Sequence, residues 1–441
     1  MVHHPHRTQD RVSRLIAPLI LAGAGLAWSV SATAQQPASA AQPPASTATP
    51  ATSQQAAATP TDGTAAGQNG FVIQTANGDN RIQFTAVVQT DGRFTTDEPA
   101  AVINTFAMRK IRPGIQGRIG RYFDFRVNPE FGNGTATMLD VYSEIRFSAA
   151  LRVRIGKDKT PLGLELLQND AALLFPERSL ASSLVPNRDV GVQAQGDLDG
   201  ARLTYAAGVF NGVPDGASST ADVDTNAGKD LGGRIVYQPF RRSAGLQPAL
   251  GGLGLHLGGS TGSQTGTLPS FRTSVGQTWF SYAGATADGG HTRVTPGVFF
   301  YYKHAGVFAE YVRSAQDIRK GADVRRVTNT GWDVSGTLVL TGEAATSGTI
   351  TPARLFDPPA RKWGALQIVA RYSELNADDD VFAGAFAAST ASDTARQATF
   401  GINWYPVSYV KYYLDYERTT FTGGADRPAE NVVLLRAQLA F

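Results

Sequence analysis

Between Leu139 and Lys159 the chain reads LDVYSEIRFSAALRVRIGKDK, and no other stretch restricts the fold as much. Leu139, Val141, Ile145 and Phe147 alternate with Asp140, Tyr142, Glu144 and Arg146. After Ser148-Ala149-Ala150 the alternation returns, with Leu151, Val153 and Ile155 against Arg152, Arg154 and a small Gly156. A period of two sends successive side chains to opposite faces of a sheet, and three small residues suit a tight turn. The stretch is therefore a hairpin with one oily face and one face of guanidinium and carboxylate groups. A soluble sheet laid on a core accepts such a hairpin. So does a barrel wall between lipid and an aqueous lumen. The rest of the chain decides between them.

The first 34 residues read as a secretory signal: Arg7, Arg11 and Arg14 precede an apolar run from Leu15 to Trp28, and Ala32-Thr33-Ala34 fits a cleavage site. Residues 35–69 are Gln, Ala, Pro, Ser and Thr with few large apolar side chains, a composition that cannot offset the entropy of ordering. They are expected to form a disordered Ala/Gln/Pro/Thr-rich tether. From residue 70 to 441 strand-like runs follow one another, divided by turn residues. Their starts near 81, 105, 123, 138, 151, 190, 201, 231, 252, 293, 306, 330, 364, 396, 409 and 431 give sixteen strands. A further candidate, Val275 to Tyr282, is placed in a loop, because single-chain bacterial barrels have even strand numbers.

Connections alternate between short, such as 148–150 and 406–408, and long and polar, such as 157–189 and 262–292. Long loops on one rim mark an outer-membrane barrel; residues 343–361 break the alternation. Tyr301, Tyr302, Trp363, Trp404, Tyr405, Tyr409, Tyr412 and Phe441 stand near strand ends, where amphipathic rings meet lipid interfaces. Phe441 also ends an alternating row with Leu439, Ala437, Leu435 and Val433, which looks like the signal read by outer-membrane assembly machinery. The expected fold is all-β, a sixteen-stranded antiparallel transmembrane β-barrel.

Charge sharpens the expectation. The net charge is only +3, too balanced for a nucleic-acid partner, yet eleven Lys/Arg and five Asp/Glu fall between Arg109 and Lys159. With no Cys there is no thiolate metal site and no disulfide. No cofactor or metal is expected; Asp378-Asp379-Asp380 reads as a solvated acidic loop. Gly258-Gly259-Ser260-Thr261-Gly262 matches the nucleophile pattern of a hydrolase in form, but it ends a Gly-rich strand with no helix after it. An outer-membrane barrel hydrolase is the alternative enzyme reading, and the expectation is no enzyme.

Several segments, in order, resemble the phosphate-selective porin O and P family. They include Met108-Arg109-Lys110-Ile111-Arg112, Leu139-Asp140-Val141-Tyr142, Leu151-Arg152-Val153-Arg154-Ile155-Gly156-Lys157 and Thr160-Pro161-Leu162-Gly163-Leu164-Glu165. Asn187-Arg188-Asp189-Val190-Gly191-Val192, Gly331-Trp332-Asp333-Val334 and Gly401-Ile402-Asn403-Trp404-Tyr405 continue the match. The resemblance implies an outer-membrane anion porin, a homotrimer in outer-membrane lipid, with a third loop folded inward to narrow the pore. It implies phosphate or polyphosphate as cargo; a general small-anion porin without a phosphate site is the other reading.

A narrowed aqueous lumen selects by crowded charge, and transport needs weak, multiple sites. Oily rows facing lipid leave Lys110, Arg112, Arg118, Arg126, Arg146, Arg152 and Arg154 facing the lumen, a ladder of cations. Arg109 and Lys110 match the family's paired basic residues; both point inward only if a bulge intervenes. Lys157 and Lys159 open the third loop, and Asp140 matches a family acid that orients arginines or accepts from protonated phosphate. Arg118 and Arg121, beside a turn, are expected on a solvated lumen wall or in salt bridges to Asp124, Glu130 or Glu144.

Overall fold

The structure, a computed structural model, describes residues 63–67, 70–96, 104–219, 224, 226–241 and 248–441. The expected signal, 1–34, and most of the expected tether lie outside the described residues. The tether's last part does not match the expectation. β1 (Gly63–Gly67) pairs antiparallel with β2 (Gly70–Gln74), so the backbone there gains ladder hydrogen bonds that composition does not reveal.

β2 pairs with the start of β3 (Arg81–Thr95), and a closed antiparallel barrel begins at β3. It continues through β4 (Thr105–Ile119), β5 (Phe123–Glu130), β6 (Thr137–Arg146), β7 (Arg152–Lys159), β8 (Arg188–Leu198), β9 (Leu203–Phe210), β10 (Asp230–Tyr237) and β11 (Leu253–Gly266). A small hairpin, β12 (Phe271–Arg272) and β13 (Thr278–Phe280), lies in the following loop, as expected for Val275 to Tyr282. The barrel resumes with β14 (Thr286–Tyr302), β15 (Ala305–Lys320), β16 (Asp323–Val339), β17 (Ala365–Asn376), β18 (Thr394–Val407), β19 (Val410–Thr422) and β20 (Glu430–Ala440). β20 pairs with β3 and closes a ring of sixteen strands.

Alternation explains the wall. On β4 Phe106, Met108, Ile115 and Ile119 are exposed on the outer face while Lys110 and Gly114 are buried inside. On β19 Tyr412, Leu414 and Tyr416 face out, whereas Lys411, Tyr413, Asp415 and Glu417 face in. So broad an apolar outer surface would drive aggregation in water, and lipid is the solvent that suits it. Not every expected rim aromatic lies there. Tyr405 points into the lumen, where its hydroxyl donates to Gln367 Oε1 at 2.8 Å, and it packs with Val339, Ile350 and Ala365. Part of that contact comes from the unusually long turn after β16, whose Ala345 and Ile350 tuck under this end of the barrel.

β14 and β16 begin seven residues earlier than alternation suggests, at Thr286 and Asp323. β15 and β16 stay paired to Lys320↔Asp323, joined only by a tight turn in which Gly321 takes φ 61°. Polar strand ends that project beyond the apolar band lack the outward oily row on which the sequence reading relied. Asp378 heads a short helix, α1 (Asp379–Ala383), and its side chain accepts from Asp380 N at 2.9 Å; the acidic triplet is an N-cap.

Candidate functional site

Residues 160–187, the third loop on the long-loop rim, cross the lumen. An irregular backbone inside a barrel must find partners for its N–H and C=O groups, and the wall supplies them. Gln438 Nε2 donates to Ala171 O at 2.9 Å, Lys411 Nζ to Leu173 O at 2.6 Å and Asn403 Nδ2 to Leu174 O at 2.8 Å. Arg371 donates to Glu177 O at 2.9 Å, and Arg436 to Pro176 O. Carboxylates take the N–H groups: Glu310 accepts from Leu164 N and Glu165 N. Apolar anchors complete the fastening, with Leu162, Leu166, Leu180, Leu184 and Val185 buried in one cluster and Phe175 under the Arg371 guanidinium at 4.4 Å. The inward-folded loop of the sequence reading is fastened to the wall along its length.

Two charge clusters flank it. In the first, Glu177 accepts from Arg109 Nε at 2.7 Å and Nη2 at 3.0 Å, from Arg93 at 3.1 Å and from Arg436 at 3.1 Å. Asp91 shares Arg93 and Arg436, at 3.0 Å and 2.6 Å. In the second, Asp170 meets Lys110 at 3.1 Å, Arg178 at 2.6 Å and Arg112, and Arg112 also reaches Glu130. Burial raises the pKa of both loop carboxyls, but the surrounding cations outweigh it: Arg109 and Arg436 at Glu177, Lys110 and Arg178 at Asp170. Both carboxyls stay well below the usual carboxylate range and are ionised. Arg93, Arg109, Lys110, Glu177, Arg178 and Arg272 line a cavity of 720 Å³.

Each residue singled out from sequence now has a place. Gln89 pairs with Lys110 and Thr90 with Met108, so Arg109 is the extra residue of a β-bulge. The bulge lets Arg109 and Lys110 both reach inward, which settles the ambiguity of that pair. Arg126 sits 3.6 Å from Asp140 and is more than a third exposed. Asp140 is buried and accepts from Arg188 at 2.7 Å and from Asn128 at 2.9 Å. Arg146 pairs with Asp124 at 2.6 Å, and Arg152 with Asp197 at 3.2 Å. Arg154 pairs with Glu144 at 2.8 Å and with Asp158, and lies 4.0 Å over the Tyr142 ring. Lys159 donates to Leu166 O and Gln168 O at 2.7 Å and 2.9 Å, fastening the loop. Lys157 is buried, opposite Val141 and Val190 in register. Arg118 pairs with Asp124, one of the expected acids, and Arg121 with Asp79, which is not one of them. Most of these basic residues are therefore engaged in ion pairs, while Lys159 is held by carbonyl oxygens.

The sequence reading missed the clamp residues Arg93, Arg371, Lys411 and Arg436, which lie far from the basic stretch. Inward parity on their strands was the available signal. Ser260 of the Gly-Gly-Ser-Thr-Gly run lies mid-strand on β11, where Arg293 donates to it at 3.3 Å, with no strand–turn–helix elbow.

A family model described as phosphate-selective porin O and P matches residues 82–441. Among solved structures, the outer membrane channel DcaP of Acinetobacter baumannii is 12% identical with a TM-score of 0.54, covering 82% of this chain and 97% of that one. An anion-selective porin from Comamonas acidovorans is 12% identical with a TM-score of 0.53, covering 82% and 100%. OmpTdeltaL8, a loop L8 deletion mutant of the Vibrio cholerae outer membrane protein OmpT, is 15% identical with a TM-score of 0.51, covering 82% and 100%. At these identities the likeness is one of fold. A search of curated protein sequences finds no match.

Proposed function

The chain belongs to the phosphate-selective porin O and P family and is a porin of the bacterial outer membrane, and from that premise we propose that it is an anion-selective diffusion channel for phosphate or polyphosphate. The cation excess within the two charge clusters that flank the third loop carries this reading. Six basic side chains, Arg93, Arg109, Lys110, Arg112, Arg178 and Arg436, surround four acids, Asp91, Glu130, Asp170 and Glu177. In a low-dielectric setting narrowed by the loop, that excess favours anions over cations. Carboxylates already occupy most of the guanidinium forks, so a passing anion meets attraction without tight capture. Weak, repeated attraction is what flux requires.

The same pairing favours a second reading, a general small-anion porin, because an engaged fork cannot grip phosphate bidentately. A homotrimer in outer-membrane lipid belongs to the proposal as well; native mass measurement in detergent tests it. The channel test is planar-bilayer recording of the protein without residues 1–34. Reversal potential is measured in a KCl gradient, and chloride current is followed as phosphate is added. Anion selectivity with block at sub-millimolar to millimolar phosphate supports the phosphate reading. Anion selectivity without block leaves the general porin, and pores without anion preference overturn the selectivity.

A further inference from the structure

One cation in the barrel wall differs from the rest. Among the described residues, Arg234 on β10 is the only Lys or Arg of a barrel strand whose side chain has no hydrogen bond, ion pair or ring contact, and its buried Nε has no partner. Its neighbours Leu231, Ile235 and Tyr237 are exposed on the outer face, so alternation sends Arg234 inward. One inward step along the strand, Leu162 of the third loop packs against Gly232, so Arg234 lies directly beneath the root of that loop.

Two more buried polar groups without partners lie on β11, which pairs with β10, and on β8, two strands away. On β11 neither ring nitrogen of His256 makes a hydrogen bond; the Thr295 backbone lies beside the ring without the geometry for one. Gly258 is opposite Arg234, and a Cβ on Gly258 would lie 3.3 Å from His256 Cε1, so the imidazole overhangs the guanidinium's own row. On β8 Gln193 is buried with its Oε1 unpartnered, opposite Gly208 on one side and Arg154 on the other. Only the small Ala206 and Gly208 of β9 stand between the two strands on this face. The charged groups acting on Arg234 are Arg154, Asp158 and Asp197. Both acids are engaged elsewhere, Asp158 by Arg154 and Asp197 by Arg152. Each carboxylate acting on Arg234 is thus already held by another cation.

We propose that Arg154, Gln193, Arg234 and His256 form a binding niche for a protonated tetrahedral oxyanion, of which inorganic phosphate is the probe, on the turn-rim side of the third loop. This rests on the porin reading above and goes beyond the family-matched basic residues, because three of its four members are not among them. The guanidinium of Arg234 offers the free fork that the paired arginines lack. Gln193 Oε1 and an imidazole nitrogen are acceptors, and only an anion carrying a P–OH can donate to them. Sulfate, fully deprotonated at neutral pH, would leave them unsatisfied. A buried acceptor left unpaired penalises the wrong ligand more than a good contact rewards the right one.

The test uses the protein without residues 1–34 in planar bilayers, with half-blocking concentrations of phosphate and sulfate measured at pH 7. Wild type should be blocked by phosphate at lower concentration than by sulfate. Arg234→Gln should raise both half-blocking concentrations about tenfold, as expected for loss of one charge-assisted contact. Gln193→Leu, which changes no charge, should weaken phosphate block severalfold and leave sulfate block where it was. If Arg234→Gln fails to form pores, Gln193→Leu decides alone. Phosphate block unchanged within twofold in the variants that form pores overturns the niche, even if the channel remains anion-selective. Pores without anion preference in wild type overturn the anion-selective reading instead. In that event phosphate calorimetry on the detergent-solubilised protein and on Gln193→Leu still decides the niche, and equal heats overturn it.

Discussion

Glu177→Gln removes one negative charge from the loop that narrows the lumen while keeping the side chain's size. Arg93 and Arg436 retain Asp91, at 3.0 Å and 2.6 Å, whereas Arg109 has no other carboxylate within ion-pair distance. The variant therefore frees one guanidinium, and the local balance gains one positive charge. At on the order of 10 Å through water, a unit charge shifts the energy of a passing monovalent ion by about 0.4 kcal/mol. Anions gain that amount and cations lose it, so the chloride-to-potassium permeability ratio should rise about fourfold at low ionic strength. At 0.1 M salt, where the screening length is about 10 Å, the rise falls to about twofold. The assay is reversal potential in KCl gradients at two mean concentrations, with heat-modifiable migration on gels confirming the folded barrel. A ratio that does not change at low salt, or that falls, would refute the idea that permeating ions feel this cluster.

Arg371→Met strips Glu165 and Glu417 of their buried counter-charge and removes the donor to Glu177 O. Breaking such a buried network costs about 3–5 kcal/mol, so the loop should release, seen as larger single-channel conductance and new protease cleavage within 160–187. Deleting Arg109 should leave the barrel intact, because Met108↔Thr90 and Lys110↔Gln89 are already consecutive pairs; unchanged heat-modifiability checks it, and an unfolded product would contradict the bulge. Asp215, in the loop after β9, is raised by burial but taken down to about 2 by His291 and Arg293. A depressed carboxyl contributes stability that is present above its unfolded pKa and lost as pH falls through the folded one. Hydrogen exchange at 211–219 should therefore stay slow at pH 5 and speed up only between about pH 4 and about pH 2.

Alternation made the barrel legible because each strand sits between two solvents, and every second side chain records which one it meets. Leu151, Val153 and Ile155 against Arg152 and Arg154 needed no tertiary knowledge. The bulge at Arg109 was readable only as a condition, since an extra residue leaves no mark in composition. What the basic side chains do was not readable. Their partners, such as Glu177 for Arg109 and Asp170 for Lys110, arrive from a loop whose path across the lumen depends on contacts with β15 and with β17–β20. Arg234 lies outside the basic stretch and nothing in the sequence singles it out; only the partners taken by the carboxylates near it do.

The fastening of residues 160–187 also orders events in time. Gln438, 267 positions beyond Ala171, is among its anchors, and Arg436 is another. Both lie on β20, the strand that joins β3 to shut the ring. Glu310, Arg371, Asn403 and Lys411, the other wall holders, also follow the loop in sequence. A sealed cylinder must therefore exist before the passage narrows, and the newborn protein is a wide hole before it becomes a selective one. Current recorded during refolding into a bilayer should step up and then settle lower, with the second step missing in Arg371→Met.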